Sequence, residues 1–264
     1  MAFRTSALTT IGALSLSVGL VPTLAVSPAS ALVTTISSSS TALDIALTVA
    51  GIPITIGPVL PAVGSAPPTY DVTNSGSFSL PVVGLSAGMV TDTASSSFPP
   101  TETGTATSTT DGFSFAPAGG AIFDVTATTI SSTSSVNGTS PATGSTTITG
   151  LSLTVAGQTF TFPGTQTPPV NDVIFNSGGL TVTLNQQIPD TAETEGITTN
   201  AIAIDFADFH VGPNVVNGAV DIGQSAASLI VIPEPAIWVE MFVGFGAVGL
   251  LARARTRSKA VAET

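Results

Sequence analysis

The chain has no cysteine, so it can form neither a disulfide bond nor a thiolate metal site. Only five of its 264 residues are Lys or Arg, against sixteen Asp or Glu. Arg4 lies at the N-terminal end, and no other basic residue occurs before Arg253. Binding to nucleic acid depends on Lys and Arg that neutralise phosphates. We therefore expect an acidic body that does not bind nucleic acid.

Residues for catalysis are equally scarce. His210 is the only histidine, and its neighbours Phe206, Phe209 and Val211 favour an ordinary strand or loop position over a general base. No zinc-protease or P-loop motif is present. We therefore predict a protein that is not an enzyme. The alternative is a secreted carbohydrate-active enzyme with paired carboxylates, although Tyr70 is the only Tyr or Trp in the body to line a sugar site.

The abundant residues favour strands and turns. Val, Ile, Leu and Phe are plentiful, Ser, Thr, Gly and Pro supply most of the rest, and no stretch of the body has the period of an amphipathic helix. Alternation is clearest at 45–49, 52–56, 123–126, 180–184 and 202–206. We therefore predict an all-β domain over 32–232, folded as an antiparallel β-sandwich or a jelly-roll-like barrel. The Ser/Thr-rich runs 95–110 and 131–147 lack this contrast, and we predict loops or weak outer strands there.

Two β-hairpins are predicted from a repeated string. Leu-Thr-Val-Ala-Gly occurs at 47–51 and again at 153–157, each time between alternating apolar residues. Ala-Gly would form a two-residue turn, because glycine tolerates positive φ. Pro53 then falls on an edge strand, where no backbone donor is needed. The repeat suggests an internal duplication whose hairpins belong to the two halves of one sandwich, and convergence on a common hairpin sequence is the alternative.

The first 31 residues have the pattern of a secretory signal peptide. Arg4 precedes a mostly apolar helical segment from Leu8 to Val26, and a small-x-small cleavage site follows at Ala29 and Ala31. The mature chain would then begin near Leu32. An uncleaved N-terminal anchor is the alternative.

The last 32 residues reverse this order. The tripeptide Pro233, Glu234 and Pro235 precedes an apolar run over 236–252, which as a transmembrane helix would span about 25 Å. A basic stop-transfer cluster follows, and by the positive-inside rule it stays in the cytoplasm while the acidic body lies outside. That cluster comprises Arg253, Arg255, Arg257 and Lys259.

This tail, over 233–264, resembles the PEP-CTERM sorting signal. The shared features are Pro-Glu-Pro-Ala at 233–236, Trp238, the Gly-Phe-Gly string at 244–246 and the basic end. The resemblance implies a substrate of an exosortase, a membrane protease-transpeptidase of Gram-negative bacteria that make extracellular polysaccharide. Pro233, Glu234 and Pro235 would be its processing signal. Glu240 departs from the pattern, because an apolar residue is usual at this position. The alternative interpretation of the whole tail is a plain C-terminal membrane anchor.

The body is similar to choice-of-anchor P proteins. Its string VAGIPITIGP and the later GSAPP, both within 47–68, resemble the opening of that family. Thr199 to Ile204 and Asp221 to Ala226 resemble its closing strands. Members of the family join one body to different anchoring tails, and the resemblance implies no enzymatic activity.

Acidic residues supply the only candidate metal ligands. Ca²⁺ prefers several oxygen ligands, but no EF-hand loop is present. No cofactor is expected unless it is Ca²⁺, and solvated acids that keep the protein soluble are the simpler interpretation. The candidate ligands come from two loops and from one residue that would lie beside the second loop across a sheet. The first loop has Asp190, Glu193 and Glu195, the second has Asp205 and Asp208, and the added residue is Asp221.

These features predict an exported surface or matrix protein with a structural or adhesive role. Its expected partners are an exosortase, the inner membrane during a transient anchored stage, and extracellular polysaccharide as a candidate ligand. A Ca²⁺-dependent adhesion module is a further alternative. The expected final location is the cell surface or extracellular matrix of a Gram-negative bacterium.

Overall fold

The computed structural model describes residues 32–81, 84–98, 102–117, 123–155, 157–190 and 194–232. They form thirteen antiparallel strands in two sheets. Sheet A has the order β10-β11-β12-β13-β1-β2, with β3 beside β1. Its strands are β1 (Leu32–Val49), β2 (Ile52–Ile56), β3 (Ala62–Ala66), β10 (Asp172–Ser177), β11 (Leu180–Asp190), β12 (Thr194–Val211) and β13 (Asn214–Ile232). Sheet B runs in chain order through β4 (Asp71–Leu80), β5 (Leu85–Ser97), β6 (Thr103–Phe115), β7 (Phe123–Asn137), β8 (Ser140–Val155) and β9 (Gln158–Gln166).

The all-β prediction is confirmed for these residues, and the two antiparallel sheets pack face to face as a sandwich. Within the described ranges, no helix has the length and apolar character needed to cross a membrane. The predicted signal helix and transmembrane helix lie outside the described residues.

One half of the sandwich interior, towards the β1–β2 and β8–β9 turns, is apolar. Large side chains from both sheets meet there, and Phe123 contacts both Phe115 and Phe206 with ring centroids 5.0 and 5.9 Å apart. Burial of this apolar area is the main stabilising contribution to the fold. The largest side chains of this core include Phe113, Phe115, Phe123, Leu43, Ile45, Leu85, Ile130, Leu151, Leu153, Leu180 and Ile202.

The other half of the interior is polar and built from small side chains. Hydroxyl groups bridge the sheets directly: Ser40 donates to the Thr93 carbonyl at 3.0 Å, and Ser108 donates to the Thr41 carbonyl at 3.2 Å. The Ser134 hydroxyl lies 2.9 Å from the Ser225 carbonyl oxygen. Because these side chains are short, the sheets approach closely here.

Both predicted hairpins are present. Val49 pairs with Ile52 and Val155 pairs with Gln158, so each turn has two residues. Gly51 and Gly157 have φ of 80° and 78°, the left-handed conformation that glycine adopts without strain. Strand β2 ends the strand order of sheet A, which confirms that Pro53 lies on an edge strand.

The two halves of the chain have the same topology, except that β3 has no counterpart among the described strands of the second half. In the first half, β1–β2 lies in sheet A and the meander β4–β7 in sheet B. In the second half, β8–β9 lies in sheet B and the meander β10–β13 in sheet A. This exchange agrees with the duplication hypothesis, which placed the two hairpins in opposite halves of a sandwich.

Local contacts agree with that equivalence. Leu85 pairs with Phe115 in the first half, and Leu180 pairs with Phe206 in the second. Just outside these pairs, the backbone N–H of Ala116 donates to the carbonyl of Gly84 at 2.9 Å, and that of Ala207 to the carbonyl of Gly179 at 2.7 Å. An equivalent hydrogen bond therefore extends the corresponding strand pair, β5–β6 or β11–β12, in each half.

The prediction for the two Ser/Thr-rich runs was wrong. Residues 95–110 and 131–147 belong largely to β5, β6, β7 and β8, the four inner strands of sheet B. Alternation identifies a strand through the contrast between its faces. Here, apart from the buried Val136, both faces carry small or hydroxyl side chains, because the sheets approach closely.

Tyr70 fastens β3 and β4 to the sandwich. Its hydroxyl lies 2.7 Å from the Ser38 hydroxyl of β1, and its ring lies flat against Gly64, where a Cβ would fall 2.1 Å from a ring carbon. Burial raises the pKa of Tyr70 above its ordinary value of 10.0. The tyrosine is therefore neutral at physiological pH and joins β1 to the beginning of β4.

Tyr70→Phe is expected to lower the free energy of unfolding by about 1 kcal/mol, because one partly buried hydrogen bond is lost while the ring stays in place. Urea denaturation measures the change. Ser38→Ala is the matched control, and the double variant should lose clearly less than the sum of the two single variants. Strictly additive losses would contradict a direct bond between these residues.

Candidate functional site

The predicted acidic ligands lie in two separate places. Glu195 pairs with Leu229 of β13, whereas Asp205 pairs with Ala219 of the same strand. These β13 positions are about 33 Å apart at ~3.3 Å per residue, so the two groups cannot share one ion. Asp190 lies opposite Gly196, near Glu195, and Glu193 lies outside the described residues.

Around Asp221, three carboxylates lie close together on the outer face of sheet A. Asp44 pairs directly with Asp221, and Asp205 is one diagonal step away across the β12–β13 pair. Burial, followed by repulsion from Asp205 and Asp44, raises the pKa of Asp221 to about 6. The Asn200 amide donates to Asp221 at 2.8 Å and compensates part of this cost. Sequence reasoning missed Asp44, because only the β1–β13 register brings it here.

Asp208 has a structural explanation. It lies at a bulge in β12 with φ of 55°, and its backbone N–H donates to the Asn217 side chain at 2.7 Å. The Asn217 amide donates back to the Asp208 carboxylate at 3.2 Å. Among the described residues no group of three or more Asp, Glu or His is arranged to hold a metal ion.

Asp92 is the most unusual carboxylate in the fold. It lies on the inner face of β5 with 0% of its surface exposed, and neither of its oxygens has a hydrogen-bond partner among the described residues. The nearby donors are engaged elsewhere: Ser108 donates to Thr41, and the Ala42 N–H donates to Val59. Burial raises the pKa of Asp92 from 3.8 to about 7, with small opposing effects from those two donors.

The other half of the chain shows which group this position accommodates. By the equivalence of Leu85 and Leu180, Asp92 corresponds to Gln187, whose amide donates to the Gly144 carbonyl of the facing sheet at 2.8 Å. A neutral carboxyl group can donate a hydrogen bond as an amide does, whereas a carboxylate can only accept. Asp92 is therefore best accommodated in its protonated form.

On the outer face of sheet B, the Ser/Thr runs form an array of hydroxyl groups. The register of β5, β6, β7 and β8 aligns three consecutive rows of four residues, and all twelve are Ser or Thr. Every one is partly or fully exposed. We call this surface the hydroxyl face; its rows are Thr91-Thr109-Ser131-Thr147, Thr93-Thr107-Thr133-Ser145 and Ser95-Thr105-Ser135-Thr143.

Hydrogen bonds order the hydroxyl face. Thr109 and Ser131 are 3.1 Å apart through their hydroxyl oxygens, and Thr107 and Thr133 are 3.3 Å apart. The repeat is ~4.8 Å between strands and ~6.7 Å along them. Sequence analysis singled out the two Ser/Thr-rich runs that contain most of these residues, but it predicted loops or weak outer strands and could not align them.

The apolar half of the sandwich ends in a small cavity of about 150 Å³. The side chains that line it belong to both sheets and include Leu47, Ile54, Phe115 and Val216. His210 lies at the same end, exposed on β12 and paired with Val215. This cavity extends the apolar core and contains no group for acid–base chemistry.

The predicted sorting and cleavage residues lie outside the described residues. They are Ala29 and Ala31, the tripeptide 233–235, and the basic cluster 253–259. Comparisons with protein-family models, curated proteins and solved structures found no match to this chain. Its function therefore has to be argued from its own residues.

Proposed function

We propose that this chain is an exported, non-enzymatic protein of the cell surface or extracellular matrix, with a structural or adhesive role. It is secreted with its acidic body outside, held in the inner membrane by its C-terminal helix, and processed by an exosortase at Pro233, Glu234 and Pro235. The body then associates with the envelope or its polysaccharide. The sequence patterns of the two ends support this route.

One structural observation carries the proposal. The first and last strands of the body, β1 and β13, lie side by side, and Leu32 is paired with Ile232. The predicted cleavage site and the predicted sorting tail therefore adjoin the same end of the sandwich. A body attached in this way extends away from the membrane by the length of its strands, about 60 Å for the 19 residues of β13.

The proposal predicts two processed termini. Mass spectrometry of the protein from its native host should find an N-terminus near Leu32 and a C-terminus near Pro233. Replacing Pro233 and Pro235 by Ala should keep the full tail attached and leave the protein in the membrane fraction, because the processing signal is lost. Deletion of the host exosortase should have the same effect.

The matched control is the pair Pro169→Ala and Pro213→Ala, two exposed prolines that lie in the body and not in the sorting signal. This variant should be processed at the same sites as the natural protein. A mature natural chain that retains Arg253 to Lys259 would show that the tail is a permanent anchor and would contradict processing by an exosortase.

A further inference from the structure

We propose that the hydroxyl face is a binding surface for neutral, extended polysaccharide chains. This inference rests on the proposed function, because such polymers lie outside the cell. The partner is defined by the chemistry of the face, and three features of the described residues identify it: the uniform hydroxyl chemistry, the absence of charge within the three rows, and the contrast with the equivalent surface of sheet A.

The hydroxyl face has a neutral centre. Its twelve side chains include no acid and no base, and the nearest carboxylates, Asp71 and Asp111, lie beyond the rows. No Lys or Arg occurs anywhere between residues 5 and 252. An anionic polymer would therefore meet only repulsion from the acidic body, and a cationic partner would favour the carboxylates of sheet A. A neutral polymer bearing hydroxyl groups matches this surface.

The second half of the chain, which has the equivalent topology, provides an internal comparison. The equivalent twelve outer positions of sheet A are aligned by the registers of β11, β12, β13 and β1. Only five of them are Ser or Thr; the twelve are Gln186, Asn200, Gln224, Thr41, Ile188, Thr198, Ala226, Ser39, Asp190, Gly196, Ser228 and Ser37. The same fold therefore forms without a complete hydroxyl array, so the uniform chemistry of sheet B is not a requirement of the strands.

Each contact on this face would be weak, because a hydroxyl gives up water to bind another hydroxyl and the net gain is small. The overall affinity would then come from the number of contacts, because the hydroxyl groups repeat regularly across the face. A long chain that lies along a row meets a hydroxyl on every strand, so its successive contacts act together, whereas a short oligosaccharide makes too few of them. Binding should depend strongly on chain length and only slightly on salt, because no charge is involved.

Affinity measurements with the full-length chain in detergent test this inference. The probes are three neutral glucans of different linkage, cellulose, curdlan and dextran, with short glucose oligomers and anionic alginate for comparison. We expect binding to at least one polymeric glucan, equal within about twofold at low and high salt since surface charge is not used. Binding to the oligomers and to alginate should not be detectable.

The triple variant Thr93→Val, Thr107→Val and Thr133→Val removes three of the four hydroxyls of the middle row and keeps β-branched side chains of the same shape. Affinity should fall about tenfold to a thousandfold, because three hydrogen bonds are lost and each is worth roughly two- to tenfold. The matched control is Thr154→Val with Thr159→Val, an exposed cross-strand pair of the same sheet outside the hydroxyl face. Its affinity should stay within about twofold, since it removes no hydroxyl from the three rows.

Several results would overturn the inference: no binding to any of the three glucans, equal loss in the triple variant and the control, or preference for alginate. Glucan binding by a chain that is not exported would support the surface and contradict the proposed function. Correct processing without glucan binding would support the proposed function and contradict the binding surface. Failure of the inference and failure of the proposed function are therefore distinguishable.

Discussion

Asp92→Asn is expected to stabilise the protein by roughly 4 kcal/mol at pH 8 and to leave its stability at pH 4 nearly unchanged. The reason is the buried position of Asp92, where neither carboxylate oxygen has a hydrogen-bond partner among the described residues. At pH 8 the native protein must hold a charge there without compensation. An amide has no such charge and can donate a hydrogen bond, as Gln187 does in the other half of the chain.

The direction of this pH dependence of stability follows from proton linkage. The pKa of Asp92 is about 7 in the folded protein and 3.8 in its ordinary state. Between these values the native state keeps a proton that the unfolded state has lost, so the free energy of unfolding falls by about 1.4 kcal/mol for each pH unit. The natural protein is therefore most stable below pH 4, loses stability up to about pH 7, and changes little from this group above it. Asp221 and Asp205, whose pKa values are also raised, add to the same trend.

Urea denaturation at pH 4, 6 and 8 measures the effect. Asp71→Asn is the matched control, because it removes the same charge from an exposed position at the start of β4. If both variants gained equal stability at pH 8, general relief of negative charge would explain the gain. The assignment of the pH dependence to Asp92 would then be wrong.

Gly104→Ala is expected to destabilise the protein by about 3 kcal/mol, the upper part of the range for an overpacked core. Gly104 lies on the inner face of β6, where an added Cβ would fall 2.4 Å from Cγ2 of Ile36 and 3.2 Å from Cγ2 of Val136. Both neighbours are fully buried and belong to the small apolar cluster at this end of the sandwich. Neither side chain can turn aside, so the sheets must separate locally.

Thermal and urea denaturation measure this loss. Gly76→Ala is the matched control: it lies on the edge strand β4, and its added Cβ meets only the ends of the Leu60 side chain at 3.4 and 3.6 Å. Its stability should change by less than about 1 kcal/mol. Combining Gly104→Ala with Ile36→Ala should cost less than the sum of the two single changes, because the second removes the clash. A fully additive result would show that Ile36 is not the obstacle.

The sequence was sufficient to predict the strands whose two faces differ strongly in hydrophobicity. Alternation of large and small side chains identified parts of β1 and β11, because a strand buried on one face must change polarity at each residue. The same rule fails for the inner strands of sheet B. Thr105, Ala106, Thr107 and Ser108 differ little in hydrophobicity, although Ala106 and Ser108 are buried and the two threonines are partly exposed.

The phase of the alternation also changes within strands. In β6, residues 104, 106, 108 and 110 are buried, and then 113 and 115. Gly112, with φ of 60°, interrupts the pleat between the two series and moves the buried face by one residue. A pattern search over the whole of β6 averages the two phases, so the alternation of this strand gives a weak signal.

Candidate sites were harder to predict than the fold. The two acidic loops were grouped by their sequence proximity, but Asp44 and Asp221 meet only through the pairing of the first strand with the last. The hydroxyl face likewise depends on the register of four strands. Asp92 gave no signal, because burial of a single acid inside a Ser/Thr-rich strand is a property of the packed sheets.

The pairing of β1 with β13 also determines when the protein can fold. Sheet A needs a strand from each end of the chain, and sheet B receives β8 and β9 only after the midpoint has been synthesised. Contacts between residues so distant in sequence form slowly, so a nascent chain has no complete sheet to close until its last strand is available. Under the proposed export, this topology would delay closure of the sandwich until β13 has crossed the membrane.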